Sequence, residues 1–424
     1  MNIVTAEEAV SVVRSGDRVV LHHACAEPQT LVEALLARKD ELQGVLLFAG
    51  FPVGPCRYAH PEFNGHFRLS TYMVGAPTRR AVAEGRADYI PIRLRDIPRM
   101  FKPGEAFVPD VALIQVSPPD KDGRVNLGVS VDYSLAAARA ARTVIAEING
   151  QMPRIQGSGF LRLEEIDLAV EVSRPLLEIP PPAVGPVEER IGRHIAELIS
   201  DGSTIQIGIG AIPTAVLQFL SGKNDLGVHS GSIPDGVAEL MQRGVITNKN
   251  KPLHRGRTIT TVLLGSRFLF EYAEANPSIE LHPVFFTHNE EVIARHRGII
   301  SINSALEVDI TGQVNAESMN GVQVAGAGGA PGFVRGALNA EGGRSIVAMT
   351  STARSGTISK IVPQLTVVTT PRYDVQLVVT EYGVANLQDR TLRQRADALI
   401  AIAHPAFREW LQDSAAYRWL AGLA

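Results

Sequence analysis

Ile205-Gln-Ile-Gly-Ile-Gly-Ala-Ile-Pro213 is the stretch that sets the fold class. Its first residues are apolar, β-branched and few, which reads as a short buried strand. Gly208 and Gly210 then let the backbone turn sharply and approach a ligand closely. Pro213 and the helical spacing of Thr214-Ala-Val-Leu-Gln-Phe-Leu220 follow. Proline is well placed near a helix start, where its missing N–H costs nothing. A strand, a glycine turn and a helix N-terminus together can hold an anion or a polarised carbonyl oxygen on backbone N–H groups. The same pattern also fits an ordinary tight βα turn.

The stretch has a counterpart. Ser15-Gly-Asp-Arg-Val-Val-Leu-His-His-Ala-Cys-Ala-Glu-Pro28 repeats the plan of Ser200-Asp-Gly-Ser-Thr-Ile-Gln-Ile-Gly-Ile-Gly-Ala-Ile-Pro213. Each copy runs from Ser with Gly and Asp into a β-branched strand, a small-residue turn, a proline and a helix. Each is preceded by a helix, over residues 6–13 and 187–199, and followed by a short strand, over 44–50 and 227–231. A duplication at this scale predicts two similar α/β halves. The Pro-rich run 174–186 cannot be a helix or a central strand and reads as a stiff connector. The expected domains are therefore 1–173 and 187–424, joined by 174–186.

Further strands are expected at 110–117, 125–131, 143–148, 258–264, 298–302, 306–310, 345–349, 365–369 and 375–380. Helices are expected at 5–12 (capped by Thr5), 135–142, 267–275 and 392–403, with His404-Pro405 stopping the last one before an amphipathic tail. Strands alternating with helices give a mostly parallel, open sheet in each half.

Composition narrows the function. The chain has 424 residues, 45% apolar and 20% charged, which describes a globular protein with ample core. A net charge of −3 supplies no basic field for nucleic acid or an anionic membrane surface. The 11 histidines are scattered, so no metal site is expected. Cys25 and Cys56 are the only cysteines, which suits a reducing compartment. No segment has the roughly 18 consecutive apolar residues of a membrane helix, and the N-terminus lacks a basic leader, so the expected location is the cytoplasm.

Ligands of open parallel sheets bind beyond the strand ends. Four glycine-bearing loops belong there: 208–213, 230–236, 326–332 and 351–360. The last is rich in hydroxyls and holds Arg354 and Lys360, which suits a phosphate or pyrophosphate. None is a Walker A loop, a dinucleotide Gly-x-Gly-x-x-Gly or a serine nucleophile elbow.

Across nearly its whole length the sequence resembles the acetyl-CoA hydrolase/transferase family, which includes 4-hydroxybutyrate and butyrate CoA-transferases. The residues that carry the resemblance are Ser15-Gly-Asp-Arg-Val, Val116-Ser-Pro-Pro-Asp120, Gln206-Ile-Gly-Ile-Gly-Ala-Ile-Pro213 and Ser232-Ile-Pro-Asp-Gly-Val237. They continue with Gly312-Gln-Val314, residues 326–329, Phe333-Val-Arg-Gly336, Ile358-Ser-Lys-Ile-Val-Pro363, Val378-Val-Thr-Glu-Tyr-Gly383 and Ile402-Ala-His-Pro405. The resemblance implies two CoA-transferase-like α/β domains with the active cleft between them, in a homo-oligomer. It implies a coenzyme A thioester as substrate and no tightly bound cofactor. It places Gly208, Ile209, Gly210, Ala211 and Ile212 along the CoA and oxyanion site, with Gly328, Gly329 and Lys360 near the CoA. Asn289 matches an asparagine beside the thioester.

In this family a glutamate attacks the thioester, giving an anhydride and then a glutamyl-CoA thioester from which a second carboxylate takes the CoA. That glutamate lies in a His-Ser-Glu stretch. Here the stretch reads Val228-His-Ser-Gly-Ser-Ile-Pro-Asp-Gly236, and Gly231 occupies the nucleophile position. Glycine has no side chain with which to form an acyl anhydride. Glu27, Glu62, Asp235, Glu307 and Glu317 are the carboxylates that could stand in, each also readable as a cap, an ion pair or a solvated face. His229 is a candidate general base, and His22 and His23 candidates for the acyl pocket; the commoner role for a histidine so placed is a hydrogen-bonded one in the core. Arg79 and Arg80 are candidate carboxylate binders. Phe51, Tyr72, Met73 and Val74 would make the acyl pocket small and apolar.

The expected function is movement of CoA between a short-chain acyl-CoA and a small carboxylate, without the covalent glutamyl intermediate. A short-chain acyl-CoA hydrolase, with water in the space left at Gly231, and a non-catalytic CoA-binding relative are the alternatives.

Overall fold

The computed structural model describes residues 1–422. By their contacts these residues form two units. The first comprises Met1–Pro180, Ile259–Thr287 and Val322–Gly328; the second comprises Pro181–Thr258, His288–Gly321 and the chain from Gly329 onward. The Pro-rich run contains the first passage between units, and residues 173–185 carry neither helix nor strand. Two later segments return to the first unit.

The first unit is built on an eight-stranded sheet in which every neighbouring pair is parallel. Its order is Asn2–Ile3, Leu168–Val172, Thr143–Asn149, Val111–Val116, Arg18–Leu21, Val45–Phe48, Phe67–Thr71 and Ala87–Tyr89. Val111–Val116 is buried along its whole length and apolar but for Gln115, as a strand in a sheet covered on both faces must be. Val19 and Leu21 point to one face, where they pack with Val10, Leu31 and Leu35. Val20 points to the other, among Phe48, Phe101, Phe107 and Tyr133. The first helix, Ala6–Val10, starts on a capping box: Glu8 N donates to Thr5 Oγ1 (3.2 Å) and Thr5 N to Glu8 Oε2 (2.9 Å).

The second unit is built on a six-stranded sheet ordered Gly227–Val228, Thr204–Ile207, Ile300–Ser304, Arg344–Ala348, Leu377–Thr380 and Gly383–Asn386. All pairs are parallel except the last, which is a hairpin. Pro186 opens the helix Pro186–Glu197, with Glu188 and Glu189 in the first turn and Ile191, Gly192, Ile195 and Ala196 on the buried face. A Cβ at Gly192 would lie 2.9 Å from the Ala215 carbonyl carbon, so glycine there lets this helix close on Ala211–Phe219.

The two duplicated stretches occupy matching places. Arg18–Leu21 lies between Val45–Phe48 and Val111–Val116; Thr204–Ile207 lies between Gly227–Val228 and Ile300–Ser304. In each unit the helix before the strand packs on the helix after it: Ala6–Val10 on Gln29–Ala37, and Pro186–Glu197 on Ala211–Phe219.

Some expected elements differ. Residues 125–131 form a strand only at Arg124–Asn126, after which Ser130 makes a single bridge to Val262. Residues 365–369 are not a strand. Pro363 and Pro371 bracket them and supply no N–H, and the segment touches Val314 only at its end, through Thr369 and Thr370. The strand at 375–380 does not stop at Gly383 but returns as Gly383–Asn386. The helix Leu392–Ala401 ends before His404-Pro405, and the tail forms the helices Pro405–Gln412 and Ala415–Ala421. Leu411 of the tail enters a core cluster with Leu399 and Ala403.

Candidate active site

In the second unit, Thr204–Ile207 ends at a turn whose residues 208–212 are half-buried. Gly210 has φ +116°, a backbone conformation that side chains disfavour, and it precedes the helix Ala211–Phe219 with no side-chain cap. A Cβ at Gly208 would meet nothing within 4 Å. The N–H groups of Gly208, Ile209 and Gly210 donate to no backbone or side-chain acceptor among the described residues. Free amides, open space and the positive end of a helix thus coincide.

Gly231 lies beside this turn. The parallel register pairs Ile205 with Val228. His229 N donates to Ile205 O (3.2 Å), Ser230 Oγ donates to Ile207 O (2.9 Å), and Ile207 N reaches Ser230 Oγ at 3.3 Å. Ser230 is thereby held at Ile207, and Gly231 follows it in the chain.

The space at Gly231 is filled. A Cβ there would lie 2.5 Å from His288 Nε2, 2.9 Å from its Cε1 and 3.3 Å from Phe333 Cε2. The same imidazole lies against Gly329, where a Cβ would collide with Nε2, and a Cβ at Gly332 would lie 2.9 Å from the His288 carbonyl oxygen. His288 is buried, and its ring stands edge-on to Phe333 with centroids 4.9 Å apart. Two glycines and one phenylalanine therefore pack against the imidazole, and a third glycine admits the backbone carbonyl of the same residue.

His229 is fully buried, its ring 4.7 Å from that of His296 and 6.2 Å from that of Phe333. Burial lowers the His296 pKa to about 3, and the charges of Lys251, His254 and Arg295 push the same way. Asn289, next in the chain to His288, caps the helix Glu290–Ala294 by accepting from Glu291 N at 3.0 Å. Gly329 precedes the helix Ala330–Asn339. Gly328 belongs instead to the first unit, where its carbonyl accepts from Leu94 N (3.3 Å) and a Cβ would lie 2.8 Å from Met73 Cε.

At other strand ends of this sheet, Gln206 Oε1 accepts from Ser301 Oγ (2.8 Å) and Asn303 Nδ2 (3.2 Å). Ser351 donates to Glu381 through both Oγ (2.6 Å) and N (2.8 Å). Lys360 Nζ donates to Ala305 O (3.3 Å) and Thr350 Oγ1 (3.4 Å). Burial brings its pKa down to about 8, against the pull of Glu381, Glu307 and Glu188. The loop 351–360 is a hairpin that pairs Thr352–Ala353 with Ile358–Ser359, its tip exposed and Arg354 and Ser355 in left-handed conformations.

The candidate stand-in carboxylates are dispersed. Glu307 accepts from Asn315 (3.0 Å), Glu317 from Thr369 (2.6 Å), Asp235 opens the helix Asp235–Gln242, and Glu62 is exposed. Arg80 pairs with Glu84 on the surface, and Arg79 donates to Val324 O (3.3 Å). Glu27, in the first unit, is buried and accepts from Tyr58 OH (2.9 Å). Burial raises its pKa to about 7, opposed by the Tyr58 hydrogen bond.

The first unit holds a second polar cluster at the end of Arg18–Leu21. His22 is tied to backbone: Gln115 N donates to Nδ1 (3.0 Å) and Nε2 meets Ser130 O at 2.7 Å. Burial drops its pKa to about 4, so this ring is neutral. His23 Nδ1 pairs with Asp132 Oδ2 (3.2 Å), and its Nε2 meets Tyr72 OH (3.0 Å). Phe51, Tyr72 and Tyr133 surround that ring at centroid distances of 6.4, 6.2 and 5.3 Å. Asp132 is fully buried, and burial raises its pKa to about 7 against the Tyr133 N–H bond. The segment Val322–Gly328 packs here too: Val74 N reaches Ala325 O at 3.4 Å, and a Cβ at Gly326 would collide with Tyr72 O.

Sequence reasoning missed His288, Asp132 and Tyr58. Asp132 sits in the left-handed region (φ +35°), and an aspartate after the run Val129-Ser-Val131 is the one local signal for it. His288 has no local signal: its neighbours Gly231, Gly329 and Gly332 are distant in sequence.

Comparison with known proteins bears on these features. The family models for the N-terminal and C-terminal domains of acetyl-CoA hydrolase/transferase match residues 1–177 and 265–415. The chain is 48% identical to the 4-hydroxybutyrate coenzyme A transferase of Clostridium kluyveri, over 97% of this chain and 96% of that one. It is 39% identical to the succinyl-CoA:cyclohexane-1-carboxylate CoA transferase of Geobacter metallireducens, over 96% and 93% of the two chains. The crystal structure of RipA from Yersinia pestis superposes with a TM-score of 0.92 at 34% identity, covering 100% of this chain and 98% of that one. No helix among the described residues is long and apolar enough to cross a membrane.

Proposed function

The chain belongs to the acetyl-CoA hydrolase/transferase family and is an enzyme of the CoA-transferase class, and we propose that it moves CoA between a short-chain acyl-CoA and a small carboxylate without a covalent glutamyl intermediate. The observation that carries this reading is Gly231: a strand-end position beside a turn of free amides, with no side chain of its own and its side-chain space held by an imidazole.

In this reading the N–H groups of the turn hold the oxygen of the tetrahedral intermediates, donating from fixed positions as charge develops. The acceptor carboxylate attacks the thioester carbon, and a C–O bond forms as the C–S bond breaks. CoA leaves as a thiolate and a mixed anhydride remains. The thiolate then attacks the acceptor's carbonyl, a C–S bond forms, and the donor acid leaves as its carboxylate. No proton is gained or lost over the cycle. Gly208, Ile209, Gly210, Ala211, Ile212, Gly328, Gly329 and Lys360 are the residues we assign to CoA, and Lys360 supplies the positive charge. Tyr72, Met73, Phe51 and Val74 are assigned to the acyl group. We place the enzyme in the cytoplasm as a homo-oligomer.

Hydrolysis is the second reading, because the family name covers both reactions and the free amides would serve either one. Incubation of the purified protein with butyryl-CoA and acetate, with acetyl-CoA and free CoA followed by mass spectrometry, tests the proposal. Acetyl-CoA that forms only when acetate is present supports transfer. Free CoA that rises at the same rate with and without acetate refutes it in favour of hydrolysis.

A further inference from the structure

We propose that a groove in the second unit, at the opposite strand ends from the glycine turn, is a second ligand site that takes a nucleotide, with its phosphates on Arg372, Arg390 and Arg395.

The place is separate from the candidate active site. The groove measures about 370 Å³, within the range of about 300–1,000 Å³ that small-molecule sites occupy. The turn Arg372–Asp374, residues 387–390 and the start of the helix Leu392–Ala401 build it, all within one unit. Val375 and Gln376 lead into Leu377–Thr380 at its N-terminal end. Leu387 leaves the antiparallel strand Gly383–Asn386 beside that end, where Leu377 pairs with Asn386. The glycine turn and Glu381 lie beyond the C-terminal ends of the same sheet. A four-residue strand puts about 13 Å between its two ends.

Charge says what the groove takes. Three arginines and one acid, Asp389, line it. The side chains of Arg372 and Arg390 make no hydrogen bond or ion pair to a described residue. Arg395 is only 8% exposed. Three of its five N–H groups donate to the backbone carbonyls of Thr311, Leu387 and Arg372, each at 2.8 Å. No carboxylate pairs with it among the described residues, and the nearby Asp374 is taken by Arg335 at 2.9 Å. Burial and the charge of Arg372 pull its pKa down, against the pull of Asp309. A buried cation short of a counter-charge is costly, and an anion in the groove supplies one. Guanidinium forks match phosphate oxygens. The remaining walls suit an organic body: Leu338, Val375 and Leu387 are apolar, and Tyr373, 88% exposed, offers a ring face on which a base can stack. Asp389 can accept from a ribose hydroxyl.

The test is calorimetric titration of the full-length enzyme with ADP and, separately, with pyrophosphate. The KM for butyryl-CoA is read from its consumption with acetate present, so that transfer and hydrolysis both count. ADP should bind the wild type with a Kd below about 1 mM, and more tightly than pyrophosphate. Arg372→Ala combined with Arg390→Ala should weaken ADP about tenfold or more and leave the butyryl-CoA KM within about twofold. Lys360→Gln should leave the ADP affinity unchanged. Absence of ADP binding, an affinity equal in wild type and double variant, a loss in Lys360→Gln instead, or a parallel rise of the butyryl-CoA KM in the double variant overturns the proposal. Pyrophosphate that binds as tightly as ADP overturns the nucleotide assignment. If the double variant does not fold, Arg390→Glu, on an exposed turn, decides: weakened ADP binding supports the site, and unchanged binding overturns it.

Discussion

Replacing Gly231 with alanine adds one methyl group to a space that is already taken. That Cβ would lie 2.5 Å from His288 Nε2 and 3.3 Å from Phe333 Cε2. Carbon and nitrogen at rest sit about 3.5–4.0 Å apart, so the ring must retreat by roughly 1 Å. It has little room, because a Cβ at Gly329 would also collide with the same nitrogen and the carbonyl of His288 lies against Gly332. Overpacking of this kind costs about 1–3 kcal/mol. In a unit of this size each kcal/mol lowers the midpoint of thermal unfolding by about 2–4 °C. The assay is a double-mutant cycle by scanning calorimetry on wild type, Gly231→Ala, His288→Ala and the double variant. His288→Ala destabilises on its own account, because it empties the cradle. In that background the new methyl group enters a void, so the penalty at 231 should vanish and the coupling energy should come out at about 1–3 kcal/mol. Additivity within about 0.5 kcal/mol would refute the contact and with it the claim that His288 occupies the side-chain space of residue 231.

Three further outcomes are expected. Gly231→Glu combined with His288→Gly should accept a carboxylate where the single variant Gly231→Glu cannot, and after incubation with butyryl-CoA intact-mass spectrometry should show CoA covalently attached to the double variant only. Glu27 has a folded pKa of about 7 against 4.5 for the free side chain, so between those values the folded state keeps a proton that the unfolded state gives up. Stability therefore falls as pH rises through that window, and above pH 7 the deficit reaches about 3 kcal/mol. Glu27→Gln removes it, so the variant should melt with wild type near pH 4.5 and higher than wild type at pH 8; equal midpoints at pH 8 would show that the carboxyl is not held neutral. Lys360, with its pKa brought to about 8, should lose its charge and its grip on CoA as pH rises past that value. The KM for butyryl-CoA should then climb above pH 8 in the wild type, while in Lys360→Gln it should be higher by about tenfold at pH 7 and flat with pH.

The parts of this protein that were legible in its sequence are those whose cause is local. Gly210 needs φ +116°, Pro28 sits at the start of the helix Gln29–Ala37 and Pro213 in the first turn of Ala211–Phe219, and Val111–Val116 is apolar but for Gln115 because both faces of its sheet are covered. The duplicated strand and turn could be aligned residue by residue, and they fall between matching strands in the two sheets. Legibility failed where partners decide. Residues 365–369 have strand composition, but their backbone reaches a neighbouring strand only at Val314, at the segment's end. Residues 322–328 belong by sequence position to the second half and by contact to the first unit, where Gly326 and Gly328 lie against Tyr72 and Met73. The glycines make the sharpest case. A glycine in a sequence reports that a side chain is missing; whether the space is empty is decided elsewhere in the chain. At Gly208 the space is open and the amides beside it are free. At Gly231 the space is occupied by a ring from residue 288. Two glycines that read alike in the sequence are thus opposite in the fold, one bordering open space and the other yielding its place to an imidazole.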